Sequence, residues 1–327
     1  MIEVTAGIDI GGTNSVVGLV SRKGKVLIQA TVSTVKYSKA KDFVKALDIK
    51  IRELQQSMTG EYILKGIGVG APNANYYKGT IENAPNLPWK GIIPFRDLFQ
   101  EHRDVPFALT NDANAAAVGE MIYGGASKMK NFIVLTLGTG LGSGIIVNGE
   151  VVYGHSGFAG EMGHMIMEPG GRECGCGQQG CLETYVSATG ICNTVSELLA
   201  FRKGKSSLRK YKFEEISSKI IATAAADGDP IALEAFDKTA YTLSIAIVNA
   251  LAFSSPEAIF LFGGLSRAGD LLMQPLKKWI DKHVQIFFRD TFSILFSSLE
   301  ETNAAVLGAS ALAWKELDYD KQDTPEQ

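Results

Sequence analysis

The sequence predicts an α/β protein built from two similar domains, and three observations carry this. The segment GIDIGGTNSVVGLV (7–20) recurs as VLTLGTGLGSGIIV (134–147) at a constant offset of 127 residues, each copy reading as strand, Gly/Thr turn, strand. Strand-like and helix-like segments succeed one another along the chain. The length, 327 residues, suits two domains with a sizeable core. Two hairpins alike by chance are the competing reading of the repeat.

Taken in order, Val4–Ile10 is a short apolar strand that ends in the turn GGTN, and 16–20 and 26–32 are strands joined across SRKGK. Phe43, Leu47, Ile51 and Leu54 recur at helical spacing and predict an amphipathic helix over 40–58. A strand at 67–70 leads into an irregular stretch, APNANYYKGTIENAPNLPW, and a strand at 107–110 leads into the helix opened by NDANAAAVGE. After the second hairpin the chain is mostly helical from Glu183 to Phe253, followed by a strand at 258–262 and another glycine turn, GGLS. The basic run 202–212 reads as a solvated loop, and the polar tail after Leu317 as frayed.

A net charge of −3 gives no electrostatic reason to expect nucleic acid or a membrane surface as a partner. The apolar stretch 231–253 is interrupted by Glu234, Asp237 and Lys238, so it reads as a buried helix and not a membrane span. The opening MIEVTAGIDI has no basic segment followed by an apolar run, so the expected compartment is the reducing cytoplasm. There, clustered cysteines favour a metal over a disulfide.

The chemistry concentrates in four places. In DIGGTN, Asp9 ends a strand; Gly11, Gly12, Thr13 and Asn14 follow, and glycines let backbone N–H groups turn into a nest for anions. Gly138, Thr139 and Gly140 offer a second nest. Together the two turns could grip a polyphosphate, with Asp9 placed to hold Mg²⁺ directly or through water. A tight hairpin explains either turn alone. In TNDANAAA, Asp112 stands where a strand meets a helix, and it reads either as a helix cap or as a general base for phosphoryl transfer. Finally, Cys174, Cys176 and Cys181 fall within CGCGQQGCLE, and His164 lies ten residues upstream in GEMGHM. Three thiolates and an imidazole make a closed, structural Zn²⁺ site; three buried, idle cysteines are the other reading. Cys192 reads as a small core residue, and His102, His155 and His283 as ordinary.

Together DIGGTN, LGTGLGSG, the FGG at 262–264, TNDANAAA, GEMGHM and CGCGQQGCLE resemble the ROK family of bacterial sugar kinases, over about residues 5–308. The resemblance implies an actin-like ATPase (ribonuclease-H-like) fold in two lobes around a cleft, with lobes at 1–112 plus 301–327 and at 113–300. It implies ATP-dependent phosphorylation of a hexose at its 6-hydroxyl, glucose first. Other hexoses, such as N-acetylmannosamine, fructose or allose, are the alternative, and a sugar-sensing transcriptional regulator is a further one. The regulator branch carries a DNA-binding segment before the first phosphate motif, and here Asp9 lies close to the start. By motif position Asp112 becomes the catalytic base. Asn86, Asn111, Asp112, Glu161, His164 and Glu183 become sugar ligands, and Gly263 and Gly264 join the nucleotide-binding residues. The metal would pin a loop whose neighbours touch the sugar. The resemblance also implies a homodimer or homotetramer.

Overall fold

A computed structural model describes residues 1–299 and 301–322, with 301–303 and 319–322 in backbone only. In chain order the strands and helices are β1 (Ile2–Ile10), β2 (Asn14–Ser21), β3 (Val26–Ser33), α1 (Ala40–Ser57), β4 (Tyr62–Gly70), β5 (Ala74–Asn75), β6 (Thr80–Glu82), β7 (Ile92–Ile93), α2 (Phe95–Gln100), β8 (Phe107–Thr110) and α3 (Asp112–Tyr123). They continue with β9 (Phe132–Leu137), β10 (Leu141–Val147), β11 (Glu150–Val151), α4 (Ala188–Phe201), α5 (Ser218–Ala226), α6 (Pro230–Ser254), β12 (Ala258–Phe262), α7 (Asp270–His283), β13 (Ser293–Phe296) and α8 (Glu301–Gln322).

Both copies of the repeat fold as strand, glycine turn and strand, β1–β2 and β9–β10. The chain gathers into two compact units: Met1–Lys130, Gly144–Gly160 and the described residues from Ser297 on form the first, and Asn131–Ser143 and Glu161–Phe296 the second. Helix α3, whose first residue is the expected lobe boundary Asp112, packs against α8 within the first unit.

The first unit is built on a sheet of order β3-β2-β1-β4-β8, with β1, β2 and β3 antiparallel and β4 parallel to both β1 and β8. Side chains alternate across it. Ala6, Ile8 and Ile10 join Phe43, Leu47 and Ile51 of α1 in one core, which Trp89, Phe95 and Phe99 extend. On the opposite face Thr5 meets Ser310 of α8 through its hydroxyl at 2.6 Å. Two glycines let α8 lie on the strands: a Cβ at Gly7 would come within 2.1 Å of the Val306 carbonyl oxygen, and one at Gly68 within 1.8 Å of that of Ala309. Asp9, two residues beyond Gly7, projects on this α8 side by the same alternation.

The stretch expected to be irregular forms a small sheet, β5-β6-β7. Strands of two or three residues are too short to show a period, which is why the sequence hid them.

The second five-stranded sheet has the order β11-β10-β9-β12-β13, and within it β12 runs parallel to both β9 and β13. Helices α4, α5 and α7 pack on α6, which buries Leu243, Ile247 and Leu251 as the sequence predicts. Among the described residues no helix is long and apolar enough to cross a membrane. Asp229 caps α6, its Oδ1 accepting the amides of Ile231 and Ala232 at 3.0 and 3.2 Å. Its Oδ2 accepts the hydroxyls of Ser206 and Ser207 at 2.9 and 2.8 Å. The basic run is therefore anchored and not merely a solvated loop: it carries a 3-10 turn, Ser207–Lys210, with Leu208 fully buried. Cys192 is half-buried on α4, its thiol donating to the Ile216 carbonyl at 3.5 Å. Helix α8 continues to Gln322, and the rest of the expected frayed tail lies outside the described residues.

Candidate active site

In the first unit the turn after β1 holds Gly11, Gly12 and Thr13, and the Thr13 carbonyl accepts the Thr34 amide at 2.9 Å. Asn86 lies directly on it: a Cβ at Gly12 would stand 2.6 Å from the Asn86 carbonyl oxygen and 3.4 Å from its Cβ. A predicted phosphate turn and a predicted sugar ligand are thus neighbours. Asp9 closes the same strand, and its carboxyl is pushed up to about 6, first by burial and then by the negative charge of Asp112.

Asp112 begins α3, but it does not cap it. The cap is Asn111, whose Oδ1 accepts the Asn114 amide at 2.7 Å. The Asp112 Oδ1 accepts its neighbour's amide, Ala113, at 2.9 Å. Solvent reaches Asp112, yet the protein packed round it strips away enough water to raise its pKa, against the opposing pull of the Ala113 amide and its own. A carboxylate held above its ordinary range is a better proton acceptor near neutral pH.

In the second unit the turn Gly138–Thr139–Gly140 leans on the start of α4. The Ala188 amide donates to the Gly138 carbonyl at 2.8 Å, and the Thr189 hydroxyl to that of Thr139 at 2.9 Å. Gly263 and Gly264 follow β12, the parallel neighbour of β9, and come to the same place. Gly263 has φ of 101°, and a Cβ there would stand 2.8 Å from the Leu137 carbonyl oxygen. The second glycine turn and the third glycine motif are therefore adjacent.

The cysteine loop folds on Gly177 and Gly180, both with positive φ, at 89° and 80°. Such turns bring Cys174, Cys176, Cys181 and His164 together, with one ligand atom of each lying within 4.8 Å of all the others. Cys174 Sγ is 3.7 Å from His164 Nδ1, and Cys176 Sγ is 3.7 Å from Cys181 Sγ. Zinc–sulfur bonds of about 2.3 Å in a tetrahedron set sulfurs roughly 3.8 Å apart, so the donor set fits zinc in both chemistry and size. Crowded together, the thiols compete for protons: burial and its two neighbours push Cys181 up to about 12.

Glu183 follows two residues after Cys181. Its Oε2 accepts the Leu141 amide at 2.9 Å, at the end of the second turn, while Oε1 is 3.7 Å from the Cys174 thiol. Glu161 immediately precedes the 3-10 turn Met162–His164, whose Met162 amide donates to Ser143 Oγ of β10 at 3.1 Å. The structure thus groups Asp9, the first turn, Asn86, Asn111 and Asp112 in one unit. It groups the second turn, the third glycine motif, Glu183 and the Cys/His cluster in the other. Sequence reasoning missed Ser143, Thr189 and Arg172, which hold these groups in place. Only Ser187, in SATG ahead of α4, carried a visible cap signal.

The model of the ROK family matches residues 5–316. The chain is 33% identical to the glucokinase of Thermotoga maritima over 311 residues, 94% of this chain and 96% of that protein. It is 36% identical to the glucokinase of Halalkalibacterium halodurans over 284 residues, 85% of each chain. Among solved structures, a ROK family glucokinase from Streptomyces griseus in complex with glucose and AMPPNP aligns with a TM-score of 0.78 at 30% identity, covering 95% of this chain and 99% of that one. The fold is the actin-like ATPase fold of these sugar kinases. With both glycine turns, the strand-to-helix aspartate and the Cys/His loop all inside the matched span, the chain belongs to the ROK family.

Proposed function

We propose that this protein is an ATP-dependent hexose kinase that phosphorylates the 6-hydroxyl, with glucose the leading substrate. The observation that carries this reading is the Asn111 cap: it leaves Asp112 at the helix start with a raised pKa and no capping duty. The glucokinases similar to the chain along most of its length support the choice of sugar.

In this reading the Asp112 carboxylate takes the proton of the 6-hydroxyl. The oxygen lone pair forms the new bond to the γ-phosphorus while the bond to the β–γ bridging oxygen breaks, and that electron pair leaves with ADP. Backbone amides of the turns at 11–14 and 138–140 hold phosphate oxygens. Gly263 and Gly264 give the nucleotide close approach to the end of β12. Asp9 would hold Mg²⁺, which neutralises phosphate charge when bound. Asn86, Asn111, Glu161, His164 and Glu183 hold the other sugar hydroxyls. A carboxylate has about four acceptor positions, so Glu183 can keep the Leu141 amide and still accept from a sugar.

His164, Cys174, Cys176 and Cys181 would hold a structural Zn²⁺. With Nδ1 turned to the thiols, Nε2 is the imidazole nitrogen for a sugar hydroxyl. Such a thiolate site suits a reducing compartment, which makes the cytoplasm the working place. The assembly in this reading is a homodimer or homotetramer, supported by the exposed apolar pair Ile286 and Phe287, at 80% and 68% exposure. Light scattering coupled to size exclusion tests that.

The deciding experiment is coupled ADP release with no sugar and with glucose, mannose, fructose, allose, N-acetylglucosamine and N-acetylmannosamine. Glucose-dependent release with the highest kcat/KM is expected. A preference for an N-acetylated sugar overturns glucose alone. Glucose binding with no ADP release would replace the kinase by a sugar-sensing regulator, and ADP release indifferent to sugar by a plain ATPase.

A further inference from the structure

Arg172 belongs to none of the groups assigned above, yet it is bonded to several segments of the second unit at once. Its backbone amide donates to Tyr185 Oη at 3.0 Å, and its guanidinium lies 4.5 Å from the centre of the Tyr185 ring. One guanidinium nitrogen donates to the Thr184 and Gly190 carbonyls at 2.6 and 3.1 Å. Another reaches Thr194 Oγ1 at 2.9 Å, and Glu197 accepts two further bonds at 2.8 and 2.7 Å. The Arg172 side chain is 15% exposed and that of Glu197 54%, so the carbonyl and ring contacts lie inside and the ion pair at the rim.

The position of these partners matters more than their number. Arg172 sits two residues before Cys174, at the entrance of the metal loop. Thr184 immediately follows Glu183, and Gly190 and Thr194 lie in the first turns of α4. The start of that helix supports Gly138 and Thr139, and Glu183 holds the Leu141 amide. A planar guanidinium with five fixed donors can span loop, carboxylate neighbour and helix at once; an ammonium cannot.

We propose that Arg172 is a positioning residue that sets the register between the metal loop, the Glu183 carboxylate and the second phosphate turn. Sugar and nucleotide affinity are thereby tuned together from one side chain that touches neither. The inference rests on the kinase reading for its kinetic consequence, and on the hydrogen-bond network alone for its structural one.

The test uses the full-length protein with Arg172→Lys, Arg172→Ala and, as a rim control, Glu197→Gln. Arg172→Lys keeps charge but loses the fork, and it guards against a failure of the alanine variant to fold. The KM values for hexose and for ATP are expected to rise together by roughly tenfold in Arg172→Lys, as charged hydrogen bonds to buried carbonyls are lost. The kcat should stay within about threefold, because Asp112 is untouched. Metal content per chain should equal that of the wild type, and Glu197→Gln should behave as wild type. In the free protein, the Leu141 amide should exchange with solvent roughly tenfold faster in Arg172→Lys. Unchanged KM values with unchanged Leu141 protection would overturn the proposal. So would a loss of metal or melting temperature that accounts for the whole effect, since Arg172 would then be only a fold-stabilising residue. A wild-type protein that phosphorylates no hexose refutes the kinase reading instead, and the Leu141 exchange rates still decide the role of Arg172.

Discussion

Asn111 and Asp112 stand side by side where β8 meets α3, and the structure divides their work: Asn111 caps the helix through the Asn114 amide at 2.7 Å, and Asp112 carries the raised carboxyl. Either residue could cap from sequence alone, because both types favour that position.

The division separates two substitutions. Asp112→Asn should fold normally and bind sugar, while kcat falls by about 10²–10⁴-fold, the usual contribution of a general base. Asn111→Ala should in addition lose about 1 kcal/mol of stability as the cap disappears. Steady-state kinetics and urea melts on the pair check this; an Asp112→Asn enzyme keeping more than about a tenth of wild-type kcat would remove Asp112 from the chemistry.

Asp9 gives a pH dependence with a definite sign. Its folded pKa of about 6 lies above the ordinary carboxylate value of 3.8, so the folded state keeps a proton that the unfolded chain has released. Between these values stability falls as pH rises, and above about 6 the full penalty of the buried charge beside Asp112 is present. In magnesium-free buffer, Asp9→Asn should therefore raise the melting temperature more at pH 8 than at pH 5, for a gain on the order of 2 kcal/mol. Equal gains at both pH values would contradict the shift. Catalysis should show the opposite face of the same titration, with kcat/KM declining on the acid side as Asp9 and Asp112 take up protons.

Metal analysis of protein purified without added zinc should find about one zinc per chain. Cys176→Ser should release it and lower the melting temperature, because a structural site contributes its binding free energy to folding. Metal-free protein that is fully stable and active would contradict the Cys₃His assignment.

Asp229→Ala removes the α6 cap and the anchor of Ser206 and Ser207 in one step. Its cost should exceed the ~1 kcal/mol of an ordinary cap and reach about 2–3 kcal/mol. Its pKa is held low: burial opposes ionisation, but the hydroxyl and amide donors of Ser207 and Ser206 outweigh it. The stabilisation is thus present above the ordinary carboxylate pKa and fades as pH falls below it, so the variant and wild type should converge in acid melts.

Long periodic elements were legible. Helix α1 buries Phe43, Leu47, Ile51 and Leu54, the four residues whose spacing predicted it. The repeat and the cysteine spacing were legible because each is a pattern along the chain. Hidden were the contacts between segments far apart in sequence. Nothing in the basic run announces that Leu208 is buried or that its serines belong to Asp229, twenty-odd residues on. Arg172 reads as one more charged residue in a glycine-rich loop, since the partners of its side chain lie 12 to 25 residues downstream. His283 reads as ordinary, yet it stacks on Trp279 with ring centres 5.8 Å apart and meets Ser244 Oγ at 2.9 Å.

The repeat itself is symmetric in backbone and asymmetric in charge. The position equivalent to Asp9 in the second copy is Thr136, whose hydroxyl accepts the Gly142 amide at 3.1 Å and so braces its own hairpin. One copy keeps a carboxyl group at the strand end, and the other has a neutral strut there. An anionic ligand at the second turn would therefore meet no strand-end carboxylate of this kind, and none of the like-charge repulsion that a second one would bring. Duplicated architecture here supplies shape twice and charge once.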